Sequence, residues 1–262
     1  MSENILEIKN LSKYFGGLAA VSDCSLKVSR GTVTGIIGPN GSGKTTLFNL
    51  IAGNLKSSSG NVIFDDENIT DVPSYELFSK GLLRTFQIAH EFSNLSVLEN
   101  LLMVPGNQSG EKIMTALFKP GLVAQEEAVV KEKAKEVVEF LNLGHLSNEL
   151  AGNLSGGQKK LLELGRTMMV DAKLVLLDEV GAGVNRTLLK DLGTAIEKLN
   201  KEKGYTFCMI EHDMDFIGRL CDPVIVMAEG SVLFEGSVED AKKDEKVIES
   251  YLGRGSKLKD TN

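Results

Sequence analysis

Cysteine is scarce in this sequence, which has 3 cysteines among 262 residues. Cys24, Cys208 and Cys221 are odd in number and lack the spacing of metal ligands. This pattern favours neither a disulfide framework nor a zinc site. We therefore predict that all three are small, buried apolar side chains.

The sequence also lacks a long apolar run and a targeting segment. No stretch approaches the roughly 18 consecutive apolar residues that mark a membrane-spanning helix. The first residues, Met1-Ser2-Glu3-Asn4, offer neither the basic start nor the apolar core of a signal peptide. We therefore expect the chain to stay in the cytoplasm.

Positive charge is the third shortage, with 29 Lys and Arg against 36 Asp and Glu and a net charge of -7. Binding to nucleic acid or to anionic lipid depends on clustered basic side chains. The balance argues against a nucleic-acid partner and against direct adhesion to lipid, so association with a membrane would need a protein partner. The 42% of apolar and 25% of charged residues are typical of a folded soluble protein.

Residues 32–53 predict a strand, a glycine-rich loop and a helix in succession. The apolar run 33–37 suits a buried strand, and residues 39–41 break it. Apolar residues return at helical spacing over 47–51, until Gly53 offers a C-terminal stop. The loop therefore lies between the end of a strand and the start of a helix.

The loop itself, Gly38–Thr45, reads G-x-x-x-x-G-K-T, and we name it the phosphate loop. Glycine lets successive backbone N–H groups curl around a phosphate, and the following helix points its partly positive N-terminus at the same anion. Lys44 would reach the β- and γ-phosphates of a nucleotide, and the Thr45 hydroxyl would bind Mg²⁺. A glycine-rich turn without a ligand is the alternative, which the flanking strand and helix disfavour. The predicted phosphate-binding residues are Gly38, Pro39, Asn40, Gly41, Ser42, Gly43, Lys44, Thr45 and Thr46.

Two later strands end in side chains that suit nucleotide chemistry. The continuous apolar run 173–177, typical of a strand covered on both faces, ends in Asp178-Glu179. Beside a phosphate loop, these carboxylates favour a Mg²⁺ role for Asp178 and a water-positioning role for Glu179, although a solvated turn is the alternative. His212 follows the run 205–210 in the same way; a lone histidine is usually structural, but ligands gather at such strand ends.

A helix start at residues 155–158 carries two unexpected glycines. Ser155 and Gln158 form the sequence of a capping box, which alone means little more than a helix N-terminus. Gly156 and Gly157 each weaken the first turn, unless something must approach the backbone closely.

The remaining pattern indicates an α/β protein with helices inserted in its middle. Hairpins are predicted over 5–28, turning at 12–17, and over 222–234, and a further strand over 61–65. Helices are predicted over 74–83, from Ser96, over 123–143, over 187–203 and over 237–252. Residues 105–110 are predicted to be a loop.

Five motifs in this order resemble the ATP-binding cassette ATPases, and the similarity covers nearly the whole chain. They are the phosphate loop, Gln87, the signature Leu154–Gln158, Asp178-Glu179 and His212. The resemblance implies a phosphate-loop NTPase core with a mostly parallel sheet, an antiparallel β subdomain and an inserted helical subdomain. It implies four parts: 1–87, the N-terminal part of the ATP-binding core; 88–157, the helical subdomain ending in the signature; 158–236, the C-terminal part of the core; and 237–262, a terminal helix and tail.

The resemblance also implies roles in MgATP hydrolysis. Glu179 would polarise the attacking water, His212 would contact the γ-phosphate, and Thr45, Asp178 and Gln87 would hold Mg²⁺. Ser155, Gly156, Gly157 and Gln158 would bind the γ-phosphate held by a second ATPase subunit, identical or paralogous, so that two subunits enclose two ATP molecules. Phe15 would stack on adenine, although adjacent aromatics on a turn are more often a packing cap; Tyr14 is the less favoured choice.

Within that family, residues 81–87, 92–101 and 182–185 look like the ATPase subunits of bacterial and archaeal branched-chain amino-acid importers. That likeness implies integral-membrane permease partners, a place on the inner face of the cell membrane, and no direct contact with the transported solute. The alternatives are an importer for another small polar solute such as urea, a soluble family member acting in translation or DNA repair, and an unrelated phosphate-loop kinase. Val180, where proline is usual, and Asn185, where many members have aspartate, depart from the family pattern.

Overall fold

The computed structural model describes residues 3–85, 91–106 and 108–256, with residues 253–256 described by their backbone alone. The chain divides into two compact units. The first unit, residues 1–84, 173–181 and 197–262, contains the sheets, and the second, residues 85–172 and 182–196, is helical.

The strands are β1 (Asn4–Phe15), β2 (Leu18–Ser29), β3 (Val33–Ile37), β4 (Ser59–Phe64), β5 (Glu67–Asn68), β6 (Leu82–Arg84), β7 (Leu174–Asp178), β8 (Thr206–Ile210), β9 (Val224–Ala228) and β10 (Ser231–Gly236). The helices are α1 (Lys44–Ile51), α2 (Ser74–Lys80), α3 (Val97–Leu102), α4 (Ile113–Phe118), α5 (Pro120–Phe140), α6 (Gly156–Met168), α7 (Arg186–Lys203), α8 (Met214–Leu220), α9 (Val238–Ala241) and α10 (Glu245–Ser256).

The larger sheet of the first unit has the strand order β10-β9-β3-β8-β7-β6. All neighbouring pairs are parallel except β10 with β9. Every residue of β3, β7 and β8 is buried, as their continuous apolar sequences predict. Because parallel strands end at the same edge of a sheet, the segments that follow β3, β7 and β8 emerge together.

A smaller antiparallel sheet, β2-β1-β4-β5, completes the first unit. Its β1–β2 hairpin pairs Tyr14 with Ala19 and Phe15 with Leu18. One apolar core joins both sheets and α1; Phe48 of α1 and Phe64 of β4 are its largest buried side chains. The two sheets of the first unit therefore share one core with α1, the helix that follows the phosphate loop.

The second unit packs α3, α5 and α6 against one another. The buried face of α5 includes Ala134, Val137 and Val138. Gly165 of α6 allows this packing, because a Cβ at that position would lie 2.7 Å from Leu141 Cδ1. Within the described residues, no helix is long and apolar enough to cross a membrane.

Most predicted elements are confirmed, and the fold class is α/β as expected. Capping boxes form at Ser96 and Ser155, with reciprocal hydrogen bonds to the residues three positions on. All three cysteines are buried and unpaired. The boundaries predicted for four parts of the chain stay a prediction.

Four local predictions were wrong. Residues 12–15 belong to β1, so the hairpin turns only at Gly16-Gly17. Residues 82–83 are strand β6 and not helix, because Gly81 ends α2 in a left-handed conformation (φ 92°). The terminal helix is two helices, since Asp244 accepts a hydrogen bond from the Val247 N–H and starts α10 anew. Helix α5 begins at Pro120, where proline suits the first helical turn, and the sequence reading missed α4 before it.

Candidate active site

The phosphate loop follows β3 and has a backbone that demands glycine. Gly38 has a φ of 148°, and a Cβ there would lie 2.1 Å from the Met227 carbonyl oxygen. Gly43 has a φ of 100°, and its Cβ would meet the Ala20 carbonyl oxygen at 2.4 Å. Both positions exclude a side chain on two grounds, strain and space. The glycines are therefore required by the loop itself.

Lys44 is the buried cation of this loop. Its Nζ donates hydrogen bonds to the carbonyl oxygens of Gly38 at 2.8 Å and Pro39 at 3.1 Å, and lies 3.4 Å from Ser42 Oγ. Burial lowers the pKa of the Lys44 amine, and the carboxylates of Glu179 and Asp178 act in the opposite direction. The ammonium is thus held at the loop by neutral carbonyl groups, which leave its charge available to an anion.

One cavity of about 240 Å³ brings several predicted site residues together. Its lining consists of Asn40, Gly41, Gly43, Lys44, Thr45, Thr46, Glu179 and His212. The lining therefore combines the first residues of α1, which include a lysine and two threonines, with a glutamate and a histidine. Such a lining suits a polyphosphate on one side and a water molecule on the other.

Glu179 and His212 make direct contact at the edge of the cavity. His212 Nε2 lies 2.9 Å from Glu179 Oε1. Glu179 has a left-handed φ of 49°, which is costly for a residue with a side chain. The backbone there turns sharply after β7 and directs the Glu179 carboxylate to the histidine that follows β8.

Asp178, the last residue of β7, is buried and paired with a cation. Arg84 Nη2 donates a hydrogen bond of 2.7 Å to Asp178 Oδ2. Arg84 Nη1 donates another, of 2.6 Å, to Asn49 Oδ1 on α1. Strand β6 and helix α1 are thereby tied to the end of β7. The sequence reading missed this role of Arg84, since no local pattern links residues so far apart in the chain.

Glu211 is a second buried group that the sequence reading passed over. Its Oε1 accepts a hydrogen bond of 2.7 Å from the Gly181 N–H. Burial raises the pKa of the Glu211 carboxyl above its ordinary value, while its backbone N–H partners lower it. The signal was present in the sequence, because Glu211 follows a buried strand just as Glu179 follows Asp178.

Phe15 and Tyr14 lie at the end of β1 and are exposed to 47% and 48%. Lys13 Nζ lies 5.2 Å from the centroid of the Phe15 ring. The partner strand brings this hairpin end to the phosphate loop, because Ala20, next to the partner of Tyr14, packs its carbonyl against Gly43. Both rings are available to a ligand, and exposure alone does not favour one of them.

The signature forms the N-terminus of α6 in the second unit. Ser155 Oγ accepts from the Gln158 N–H at 3.4 Å, and Gln158 Oε1 accepts from the Ser155 N–H at 2.9 Å. The two glycines differ: a Cβ on Gly157 would lie 2.5 Å from Leu188 Cδ1, whereas at Gly156 the nearest atom found is the Gly183 carbonyl oxygen at 4.0 Å. Packing explains glycine at 157 but not at 156.

Gln87 lies outside the described residues. Asn185, one of the departures from the family pattern, accepts a hydrogen bond of 2.9 Å from the Leu188 N–H and so caps the start of α7. An uncharged amide is sufficient for that cap.

The parallel sheet, the phosphate loop and the carboxylates at the strand ends define a nucleotide-binding protein of the phosphate-loop class. The sequence profile of the ABC transporter family matches residues 21–182. The chain belongs to this family and is an ATP-binding cassette ATPase, which hydrolyses ATP.

Individual relatives match over almost their whole length. A probable branched-chain amino acid transport ATP-binding protein, LivG, of Archaeoglobus fulgidus is 44% identical over 95% of this chain and 95% of its own. The high-affinity branched-chain amino acid transport ATP-binding protein BraF of Pseudomonas aeruginosa is 37% identical over 97% of this chain and 99% of its own. A crystal structure of the ADP conformation of an ATP-binding cassette of an ABC transporter has a TM-score of 0.81 and 40% identity, covering 96% of this chain and 100% of that one.

Proposed function

We propose that the chain is the ATP-hydrolysing subunit of a membrane importer for branched-chain amino acids. The observation that carries the proposal is the likeness, over nearly full length, to relatives named for branched-chain amino acid transport. The cavity at the phosphate loop would bind ATP, the energy source, and the transported solute would bind elsewhere in the complex.

The residues of the cavity suggest a division of labour in hydrolysis. Lys44 and the N–H groups of the phosphate loop would hold the β- and γ-phosphates. Glu179 would orient the attacking water, and His212, 2.9 Å from its carboxylate, would keep base and γ-phosphate aligned. Positioned charges of this kind supply most of the catalysis in phosphoryl transfer.

The residues present fit a Mg²⁺ ion. This cation prefers oxygen donors and keeps several waters when it joins one or two carboxylates to substrate phosphates. Thr45, whose side chain carries a hydroxyl, lines the cavity, and the buried Asp178 lies at the end of a strand whose next residue, Glu179, also lines it. Gln87 would be the third protein donor. A bound Mg²⁺ would neutralise charge that develops on the phosphate oxygens.

The signature would act across a dimer of ATPase subunits. Gly156 offers a free backbone surface at a helix N-terminus, where N–H groups attract phosphate. The second subunit would be either another copy of this chain or a paralogue. Loss of the γ-phosphate on hydrolysis would remove the bridge between subunits and open the dimer.

Permease subunits would connect this chain to the cytoplasmic face of the membrane. They would be integral-membrane proteins that receive the motion of the ATPase dimer. The net charge of -7 suits attachment through protein and not through anionic lipid.

Uptake measurements test the proposal. Deleting the gene from its source cells should lower uptake of radiolabelled leucine, and the wild-type chain should restore it. A chain with Glu179→Gln, expressed at the same level, should not. Lowered urea uptake with normal leucine uptake would instead indicate a different solute. Normal uptake of both, with impaired translation or DNA repair, would contradict an importer role.

A further inference from the structure

Glu211 is a buried residue to which the proposed mechanism of ATP hydrolysis assigns no role. The residue is 4% exposed. Among the described residues, no Lys or Arg forms an ion pair with its carboxylate, in contrast to buried Asp178, which Arg84 neutralises. Instead, Glu211 Oε1 accepts from the Gly181 N–H at 2.7 Å, and Oε2 lies 3.4 Å from the His212 backbone nitrogen. A buried carboxylate bound only to backbone N–H groups is expensive, which calls for a reason to keep it.

The geometry around Glu211 closes a ring between the ends of β7 and β8. The Glu179 N–H donates to the Ile210 carbonyl at 2.9 Å. Two residues after Glu179, the Gly181 N–H donates to Glu211, which directly follows Ile210, and the side chains of Glu179 and His212 meet at 2.9 Å. The turn of residues 179–181 is therefore attached at both of its ends to the segment that carries the histidine.

This attachment explains how Glu179 keeps its left-handed backbone. A φ of 49° costs free energy in a residue other than glycine, so the surrounding structure must hold it. The Glu211 hydrogen bond fixes the residue two positions after Glu179. Without that bond, the turn could relax towards ordinary backbone angles and move the Glu179 carboxylate away from His212.

We propose that Glu211 is a positioning residue for ATP hydrolysis, which binds the Gly181 N–H and thereby holds the Glu179 carboxylate against His212. The inference rests on the proposed roles of Glu179 and His212. It assigns Glu211 no contact with ATP, water or metal. Its positioning role depends on the length of the Glu211 side chain, which brings an oxygen to the Gly181 N–H, and not on the charge of the carboxylate.

A matched pair of substitutions distinguishes the effect of the length of the Glu211 side chain from the effect of its charge. Glu211→Gln keeps the length and an oxygen that accepts from Gly181, but removes the charge. Glu211→Asp keeps the charge, but draws the carboxylate back by one methylene. A misplacement of about 1 Å can cost on the order of 10²-fold in rate. We therefore expect kcat to fall roughly 10- to 100-fold in Glu211→Asp and to stay near wild type in Glu211→Gln. Glu202→Gln, an exposed change on α7, is the control.

Three measurements on the full chain accompany kcat: KM for ATP, equilibrium ATP binding, and the amide resonance of ¹⁵N-labelled Gly181. The Asp variant should lose turnover with unchanged ATP binding, and its Gly181 amide should shift to the position of a solvent-bonded N–H. The Gln variant should keep both close to wild type. The opposite ranking, with Asp active and Gln inactive, would overturn the proposal in favour of an electrostatic role. Equal loss of ATP binding and turnover in both variants would show a merely structural residue.

A double-mutant cycle tests whether Glu211 acts through Glu179. In the Glu179→Gln background, adding Glu211→Asp should cost almost nothing further, because the group it positions is already lost. Additive losses would refute the proposal. If Glu179→Gln alone hydrolyses ATP normally, the catalytic role of Glu179 fails instead, and the Gly181 resonance still reports whether Glu211 holds the turn.

Discussion

Arg84 and Asp178 form a buried ion pair, with Nη2 and Oδ2 separated by 2.7 Å and side chains exposed to 11% and 6%. Arg84 also bonds to Asn49 on α1, so one guanidinium links three elements around the phosphate loop. We expect Asp178 to be a ligand of Mg²⁺. The pair therefore orients a carboxylate at the place where a cation is needed.

Arg84→Met should destabilise the protein strongly. Removing one partner leaves the Asp178 carboxylate buried without its cation, which typically costs about 3–5 kcal/mol. Chemical denaturation gives the free energy of unfolding. Lys80→Met is the matched control, because its pair with Glu67 is exposed and should contribute no more than about 1 kcal/mol. Equal, small effects of the two substitutions would contradict a buried structural pair.

Glu179→Gln should preserve MgATP binding and slow hydrolysis by at least ~100-fold, since a positioned base contributes roughly 10²–10⁴ in rate. Phosphate release under saturating ATP measures the turnover, and equilibrium binding of ATP is measured on the same sample. Near-normal hydrolysis would remove Glu179 as the key carboxylate.

Phe15→Ala should weaken ATP binding by about 1–3 kcal/mol, the scale of stacking between a base and an aromatic ring, whereas Phe15→Tyr should be mild. Tyr14→Ala is a suitable comparison, because the two rings are equally exposed on the same strand. Calorimetric titration with ATP gives the affinities. A loss with Tyr14→Ala and none with Phe15→Ala would move the stacking role to Tyr14.

The three thiols should be inert in the folded protein at mildly alkaline pH. Burial raises the pKa of Cys24 and of Cys221 to about 12, and it also raises that of Cys208. Because the thiolate is the reactive form and all three pKa values are raised, increasing the pH from 7 to about 9 should not start alkylation. Mass spectrometry after iodoacetamide treatment should show no additions to native protein and 3 in denaturant. Labelling of native protein that grows with pH would show an accessible thiolate.

The sequence predicted those parts of the site that are encoded locally. The phosphate loop has a fixed spacing, and the carboxylates and histidine follow continuous apolar runs, so each could be placed at a strand end. Arg84 could not be paired with Asp178 in this way, since their contact depends on β6 lying beside β7 in the sheet. Strand β6 could not be predicted either, because at three residues it is too short to show a period and the sequence pattern favours a helix through Gly81.

The two glycines of the signature, Gly156 and Gly157, show the same limit on what the sequence alone can predict. From the sequence, Gly156 and Gly157 indicated one shared cause, the close approach of a ligand. The structure separates them, because Gly157 makes room for Leu188 and Gly156 faces open space. The close approach of a ligand therefore remains the explanation for glycine at position 156 alone. A test of the signature should therefore change Gly156, since a side chain at 157 would disturb the unit's own packing.

We expect each ATP site to be shared between two subunits. Lys44→Ala should prevent one chain from holding ATP, and Gly156→Asp should place a carboxylate where the partner's γ-phosphate is expected, so each variant alone should be nearly inactive. In a mixed dimer, one site collects both defects, while the other joins the intact phosphate loop of the Gly156→Asp chain to the intact signature of the Lys44→Ala chain. ATPase activity should therefore rise on mixing and reach its maximum near equal amounts. Activity that only averages the two parents at every ratio, with subunit exchange verified by fluorescence transfer, would contradict shared sites. If this chain pairs with a paralogue instead, the same complementation should appear when each substitution is placed in a different partner.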